Sequence, residues 1–379
     1  MADARDFACM ARALRLARRG LYTTDPNPRV GCVIVSDGRV VGEGYHRRAG
    51  EPHAERNALA AAGPNARGAT VYVTLEPCCH QGRTPPCTDA LVEAGVARVV
   101  AAMEDPNPLV GGQGAGRLRA AGIAIETGVL EQEARALNPG FAKRMTRGLP
   151  WVRCKLAMSL DGRTAMASGE SRWITGEDAR RDVQRLRARS SAIVTGVGTV
   201  LADDPSMNVR LRPEELGLDP DLDVRQPVRV VVDSRLRTPP TARLLGLPGT
   251  AVVLSVDDRR DHAGALEAAG ARVVTMPEQA GRVDLRAALE LLAAQEINEV
   301  LIEAGPVLSG GALQAGLVDE LVVYLAPHLM GDAARGLFCL PGLERMQDRV
   351  ALAMRDLRPV GRDVRITLTP SADAGRRAP

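Results

Sequence analysis

Aromatic side chains are scarce in this chain: Phe, Trp and Tyr make up 2% of its 379 residues. A protein that holds single-stranded nucleic acid stacks successive bases on such rings, so that class of partner is not expected. Charge of one sign is not in excess either. Lys and Arg number 49 against 46 Asp and Glu, a formal net charge of +3, and the basic residues are scattered instead of forming the patch of a non-specific nucleic-acid binder. Long apolar runs are missing, since none approaches the ~18 residues of a membrane span. Asp3, Arg5 and Asp6 interrupt the N-terminal stretch where a signal peptide needs an unbroken apolar core. A soluble cytoplasmic protein with no membrane or nucleic-acid partner is expected. Cysteine is sparse and odd in number, at seven. Without an export signal, that argues against a disulfide framework and for metal or catalytic use.

What is present is enough apolar material, 45% of the chain, to bury two cores. Apolar residues at helical spacing (Phe7, Met10, Leu14, Ala17) predict a helix from Ala4 to Arg19, stopped by Gly20. Strands are expected at 30–35 and 39–45, joined by the hairpin signal Ser36-Asp37-Gly38. A helix at 53–62 follows Pro52, a strand runs over 70–75, and helices and strands then alternate to Thr127. This interleaving implies a layered α/β domain. The pattern loosens between Asn138 and Pro150, and a new strand starts at Trp151. The expected domains are residues 1–147 and 148–370, with 371–379 as a frayed tail. The second half alternates again as an α/β domain of mainly parallel strands, with Arg212 to Arg225 as a surface loop.

The stretch LEPCCHQGRTPPC, Leu75 to Cys87, holds three of the seven cysteines. Pro52-His53-Ala54-Glu55 precedes it at a helix start, Pro77-Cys78 ends a strand, and Pro86-Cys87 opens the next helix. Two helix N-termini and a strand end thus deliver three ligands, His53, Cys78 and Cys87. That set suits zinc, which in catalytic sites takes three protein ligands and keeps a fourth position open. The helix N-terminus is expected to lower the pKa of Cys87 and favour its thiolate. Glu55 stands beside the metal, free to shuttle a proton. A structural zinc knuckle would instead close the site with Cys79 or His80, and Cys79 competes with Cys78 as ligand. Cys9, Cys32, Cys154 and Cys339 lie in apolar patterns and read as buried small hydrophobes. In the second half, Glu303-Ala304-Gly305-Pro306-Val307-Leu308-Ser309-Gly310-Gly311 follows a strand and precedes a helix, where glycines let backbone amides approach a pyrophosphate. A tight strand-to-helix turn would look similar. Gly196-Val197-Gly198-Thr199 repeats the arrangement.

The H-x-E…P-C pattern is the signature of zinc deaminases, except that the two Pro-Cys pairs are nine positions apart instead of three. With DPNPRVGCVIV, GYHRRAGEPHAE, TLEPCCHQGRTPPC and EDPNPLVGGQG, and then KLAMSLDGRTA, SRWITG, GVGTVLADDPSMNVR, VVDSRL and EAGPVLSGGAL, the chain resembles the bifunctional riboflavin-biosynthesis deaminase-reductases over nearly its whole length. The resemblance implies a cytidine-deaminase-like three-layer α/β/α domain followed by a dihydrofolate-reductase-like α/β domain. It implies Zn2+ held by His53, Cys78 and Cys87, with Glu55 as proton shuttle and Asn27, His46 and Arg83 as contacts of the pyrimidine and ribose phosphate. It implies NADPH in the second domain, lined by Ala157, Trp173, Thr199, Asp203, Ser234, Gly305, Pro306, Val307, Leu308, Ser309, Gly310 and Gly311. Ser171, Arg187, Met207, Arg210 and Glu303 would face the substrate, with Arg187 and Arg210 as a guanidinium clamp on its phosphate. Lys155 is an active-site cation without an assigned role.

The implied reactions are hydrolytic deamination of 2,5-diamino-6-(5-phosphoribosylamino)pyrimidin-4(3H)-one, then reduction of the ribosyl group of 5-amino-6-(5-phosphoribosylamino)uracil to ribityl. A homo-oligomer, dimer or tetramer, is expected. Two other classes stand beside this one. A nucleic-acid-editing deaminase would need a basic or aromatic groove, and a zinc-stabilised binding protein would have no use for Glu55.

Overall fold

In the computed structural model, which describes residues 2–81, 85–108, 110–257 and 260–371, the first helical pattern becomes α1 (Ala4–Arg18), closed by a reciprocal cap between Asp3 and Asp6. Met10, Ala13, Leu14 and Ala17 form its buried face, while Phe7, expected there, is exposed. The hairpin signal joins β1 (Gly31–Ser36) to β2 (Arg39–Tyr45). Asp37 and Gly38 take φ of 49° and 75°, the positive values a two-residue I′ turn requires. After α2 (Ala54–Ala62) come β3 (Thr70–Val73), α3 (Cys87–Ala94), β4 (Arg98–Ala101), α4 (Gln113–Ala120) and β5 (Ala124–Thr127). The strands form one sheet of order β2-β1-β3-β4-β5, antiparallel up to β3 and parallel beyond it.

Glycines set how closely the helices approach this sheet. A Cβ on Gly31 would lie 2.0 Å from the Ala13 carbonyl of α1, and one on Gly44 would lie 2.5 Å from the Ala54 carbonyl of α2. Gly44 pairs with Cys32, the neighbour of Gly31, so these two glycines point to opposite faces of the pleated sheet. The helices α1 and α2 therefore cover different faces, which makes the unit three-layered. The stretch from Asn138 that loosens in sequence is helical: α5 (Glu131–Leu137) is followed directly by α6 (Pro139–Arg147), which ends at Gly148 in the left-handed region. These helices bury Ala134 and Gly140, and Leu137 and Phe141 pack against the core of the unit.

The chain divides into two compact units, Met1–Leu149 and Pro150–Pro379. The second unit runs β6 (Trp151–Ser159), β7 (Arg163–Ala165), α7 (Glu177–Arg189), β8 (Ala192–Gly196), α8 (Val197–Asp203), β9 (Val228–Val232), β10 (Ala251–Ser255), α9 (Arg260–Ala268), β11 (Ala271–Thr275), β12 (Glu278–Gln279) and β13 (Arg282–Val283). It continues with α10 (Leu285–Ala294), β14 (Glu299–Ile302), α11 (Pro306–Gln314), β15 (Glu320–Ala326), β16 (Arg335–Gly336), β17 (Leu352–Val360) and β18 (Asp363–Pro370). Its nine-stranded sheet has the order β11-β10-β9-β8-β14-β6-β15-β18-β17. Pairing is parallel from β11 to β15 and antiparallel through the C-terminal hairpin. That hairpin escapes the sequence reading because β17 is largely exposed and Arg355, Asp356 and Arg358 break up its apolar positions without a regular alternation. The Arg212 to Arg225 loop carries one 3-10 turn, Pro213–Leu216. Among the described residues no helix is long and apolar enough to cross a membrane.

Candidate active site

In the first unit His53 is the N-cap of α2 in extended conformation, and Cys87 is the first residue of α3, behind Pro86. Cys78 lies in the irregular segment beyond β3, which ends at Val73, earlier than its apolar run suggests. His53 Nδ1 sits 3.6 Å from the Cys78 sulfur and 3.5 Å from that of Cys87, and the three donor atoms lie within 4.8 Å of one another. Tetrahedral bonds of ~2.05 Å to nitrogen and ~2.3 Å to sulfur place N and S about 3.6 Å apart. The donor set and its spacing fit zinc. Neither Cys79 nor His80 joins this cluster among the described residues. The Cys79 carbonyl instead accepts from Arg117 (3.4 Å).

The two thiols share a proton unequally. The Cys78 thiol is pulled down to about 4, first by its bond from the Cys87 thiol, then by His53 and the Cys87 backbone N–H, whose nitrogen lies 3.4 Å from the Cys78 sulfur. Cys87 is pushed up instead, by that same bond and by burial beside Glu55. The amide of Cys87 at the helix N-terminus points at its neighbour's sulfur, and zinc binding requires both sulfurs as thiolates. The bond to Cys78 also raises His53.

Glu55 is buried, and that burial, reinforced by the Cys78 charge, pushes its carboxyl up to about 7. His46, also buried, meets the His53 ring edge-on at 5.3 Å. Its Nδ1 faces the Pro52 carbonyl at 3.2 Å, and a carbonyl only accepts. The proton therefore sits on Nδ1, and Nε2 accepts from Asn27 Nδ2 at 3.1 Å. Burial holds this imidazole toward its neutral form. Arg83 lies outside the described residues. Of the cysteines read as buried hydrophobes, Cys32 and Cys154 are buried and Cys9 partly so, whereas Cys339 is exposed.

The second unit contains a cleft of about 1730 Å³. It is lined by Ala157, Ser171, Trp173, Arg187, Thr199, Asp203, Met207, Arg210, Ser234 and Glu303, and by Gly305, Pro306, Val307, Leu308 and Gly311. Ser309 and Gly310 face away. Ser309 is buried with its hydroxyl on the Ala304 carbonyl, and a Cβ on Gly310 would fall 2.2 Å from the Cys339 carbonyl. Gly310 thus serves packing. Gly198 and Gly305 differ, since a Cβ on either meets nothing within 4 Å. A side chain would occupy cleft space there, and bare backbone at two helix N-termini fits a dinucleotide phosphate.

Arg187 gives Nε and Nη2 to Glu303 at 2.6 and 3.0 Å and Nη1 to the Asn208 carbonyl at 3.0 Å. Both arginines expected to clamp the phosphate line the cleft, Arg187 paired with Glu303 and Arg210 giving one guanidinium bond, to the Asn208 side chain (3.2 Å). Against burial, which pushes it up, Arg187 and Lys155 hold the Glu303 carboxyl down. Burial in turn lowers Lys155, the expected active-site cation, which lines the cleft. Trp173 is covered by the Arg180 guanidinium, 4.6 Å from the ring centroid.

Comparison with known proteins finds two family matches. Residues 4–103 match the cytidine and deoxycytidylate deaminase zinc-binding region, and residues 150–366 match the RibD C-terminal domain. The chain is 55% identical over 359 residues to the riboflavin biosynthesis protein RibD of Escherichia coli, covering 94% of this chain and 96% of the relative. Among solved structures it is similar to Acinetobacter baumannii RibD, with a TM-score of 0.88 and 48% identity over 97% of this chain and 99% of that one. It is also similar to a diaminohydroxyphosphoribosylaminopyrimidine deaminase/5-amino-6-(5-phosphoribosylamino)uracil reductase from Thermotoga maritima. There the TM-score is 0.83 and the identity 31%, over 97% and 99% of the two chains.

Proposed function

This chain belongs to the RibD family of bifunctional deaminase-reductases of riboflavin biosynthesis, and from that membership we propose how its own residues divide the two reactions. The observation that carries the assignment is the convergence of His53 Nδ1 and the Cys78 and Cys87 sulfurs within 4.8 Å, beside the buried Glu55. Residues 1–147 form the deaminase, where these three side chains hold zinc. Bound zinc supplies the Lewis acidity that makes water nucleophilic at neutral pH. The Glu55 carboxylate would take a proton from the attacking water and give it to the ring nitrogen, then take the second proton from the added hydroxyl and give it to the departing ammonia. A carboxyl at about 7 suits both directions of transfer. Neutral His46 and the Asn27 amide orient the 2,5-diaminopyrimidine, and Arg83 contacts its ribose phosphate.

Residues 148–370 form the reductase. Bound NADPH supplies hydride to C1 of the ring-opened sugar. Ala157, Trp173, Thr199, Asp203 and Ser234, with Gly305 to Leu308 and Gly311, border the nucleotide. Ser171, Met207, Arg210 and the Arg187–Glu303 pair border the sugar phosphate, for which Arg210 and Lys155 provide positive charge. The purified chain, incubated with the phosphoribosylated diaminopyrimidine, should release ammonia without NADPH and oxidise NADPH only after deamination. NADPH oxidation with no ammonia release would refute the order.

The same reading includes a homo-oligomer. Leu352, Met354 and Leu357 on the edge strand β17 are exposed. The bulge between Met354 and Asp356 keeps all three opposite alternate residues of β18, Pro370, Leu368 and Ile366, so they share one face. An unpaired edge with an apolar row favours a second copy. None of the seven cysteines forms a disulfide, which suits the reducing cytoplasm.

A further inference from the structure

Glu76 is a buried carboxylate that the two reactions leave without a role. Oε2 accepts the backbone N–H of Asp105 at 3.1 Å and of Gly112 at 2.9 Å, and Oε1 accepts that of Ala115 at 2.9 Å. One side chain thus holds both ends of the connection between β4 and α4, together with the first turn of α4. An ionised carboxylate has only acceptors, and bonds of this charge-assisted kind are about twice as strong as neutral ones.

Glu76 is also two residues from Cys78, in a segment that has left β3. The backbone there is fixed from three directions. The Glu76 N–H donates to the Met103 carbonyl at 3.0 Å, and the Cys78 carbonyl accepts from the Thr88 N–H of α3 at 3.1 Å. Arg117 of α4 bonds the Cys79 carbonyl and pairs with Asp89 of α3 at 2.6 Å. A Cβ on Gly114 would sit 2.1 Å from the Pro77 carbonyl, so α4 starts in contact with the residue before Cys78. The start of α4 is therefore the wall against which both thiol-bearing segments rest, and Glu76 ties that wall to the chain carrying Cys78.

We propose that Glu76 is a positioning residue for the metal site: through its three backbone bonds to the start of α4 it fixes the Cys78 sulfur relative to Cys87 and His53. This rests on reading His53, Cys78 and Cys87 as zinc ligands. In Glu76→Gln an NH2 group confronts N–H donors, so at least one of the three bonds is lost. In Glu76→Asp the acceptor chemistry stays but the reach is shorter by one methylene.

The test is the zinc dissociation constant of the full chain by chelator competition, with the visible spectrum of the cobalt-substituted protein as a second readout. Wild type should bind about one ion in the deaminase unit, and failure to do so would refute the ligand reading itself. Glu76→Gln should weaken zinc about 10–100-fold, the range for supporting partners of metal ligands, and alter the cobalt spectrum, with Glu76→Asp intermediate. Wild-type zinc affinity and spectrum in Glu76→Gln, with only a lowered unfolding temperature, would reduce Glu76 to a helix cap and overturn the proposal. If Glu76→Gln does not fold, Glu76→Asp decides by the same criterion.

Discussion

Glu55 shows how one residue's chemistry follows from its surroundings. Its carboxyl would titrate near 4.5 in water and is pushed up to about 7 by burial and the Cys78 charge. A cation at the three ligands would offset that charge and draw the carboxyl back down. The base must be ionised to accept a proton, hence deaminase kcat/KM should fall as pH drops through the interval between the two values, with an acid limb above the ordinary glutamate range. Glu55→Gln should remove ammonia release and keep the zinc. A limb near pH 4, or ammonia release unchanged in the variant, would assign the proton transfers elsewhere. The arginines of the reductase cleft separate by partner. Arg210→Ala should raise the reductase KM and cost ~2–4 kcal/mol in kcat/KM with NADPH affinity nearly unchanged. Arg187→Ala strands the Glu303 carboxylate, and breaking a buried pair costs about 3–5 kcal/mol of stability, so its main signature should be a lower unfolding temperature. Equal kinetic losses with no stability difference would make both arginines the phosphate clamp.

At the scale of elements, the helices that build the deaminase site give up ordinary capping. Helix α1 closes with a reciprocal Asp3–Asp6 box, whereas α2 begins at His53 and α3 behind Pro86 with no side-chain cap. A Ser or Asp cap is worth ~1 kcal/mol. Both helices forgo it and turn their first residues toward the metal site, the amide of Cys87 bonding the Cys78 sulfur. Cys78→Ser and Cys87→Ser should therefore lose most of the zinc. Cys79→Ser should keep about one ion per chain, because that thiol stands outside the three-donor cluster. Metal analysis with the reverse result would exchange the two neighbouring cysteines as ligand.

For the whole molecule, two units with separate sheets carry two sets of candidate residues, and no residue proposed for one reaction is proposed for the other. Self-association through β17 would add a further level. Met354→Glu with Leu357→Glu places like charges on an exposed face, which should shift the sedimentation coefficient from oligomer to monomer while deaminase activity persists. An unchanged oligomer would move the interface away from this edge.

Sequence alone determined what depends on neighbours along the chain. His53 and Glu55 are set two apart at a helix start, Pro86-Cys87 opens a helix, and the alternation of apolar periods gives two α/β units. It also suggested a break near residue 150, where α6 gives way to β6. Tertiary structure decided whatever depends on residues far apart. It aimed the Cys87 amide at the Cys78 sulfur. It bound Arg187 to Glu303, 116 positions away, and turned Ser309 and Gly310 from the cleft toward their own helix turn and the chain at Cys339. Glu76 is the plainest case, with bonds that span 29 to 39 positions. Periodicity reports which face of an element is apolar, but the partner of a buried charge is fixed only when distant segments pack, and that pairing sets the chemistry of both sites.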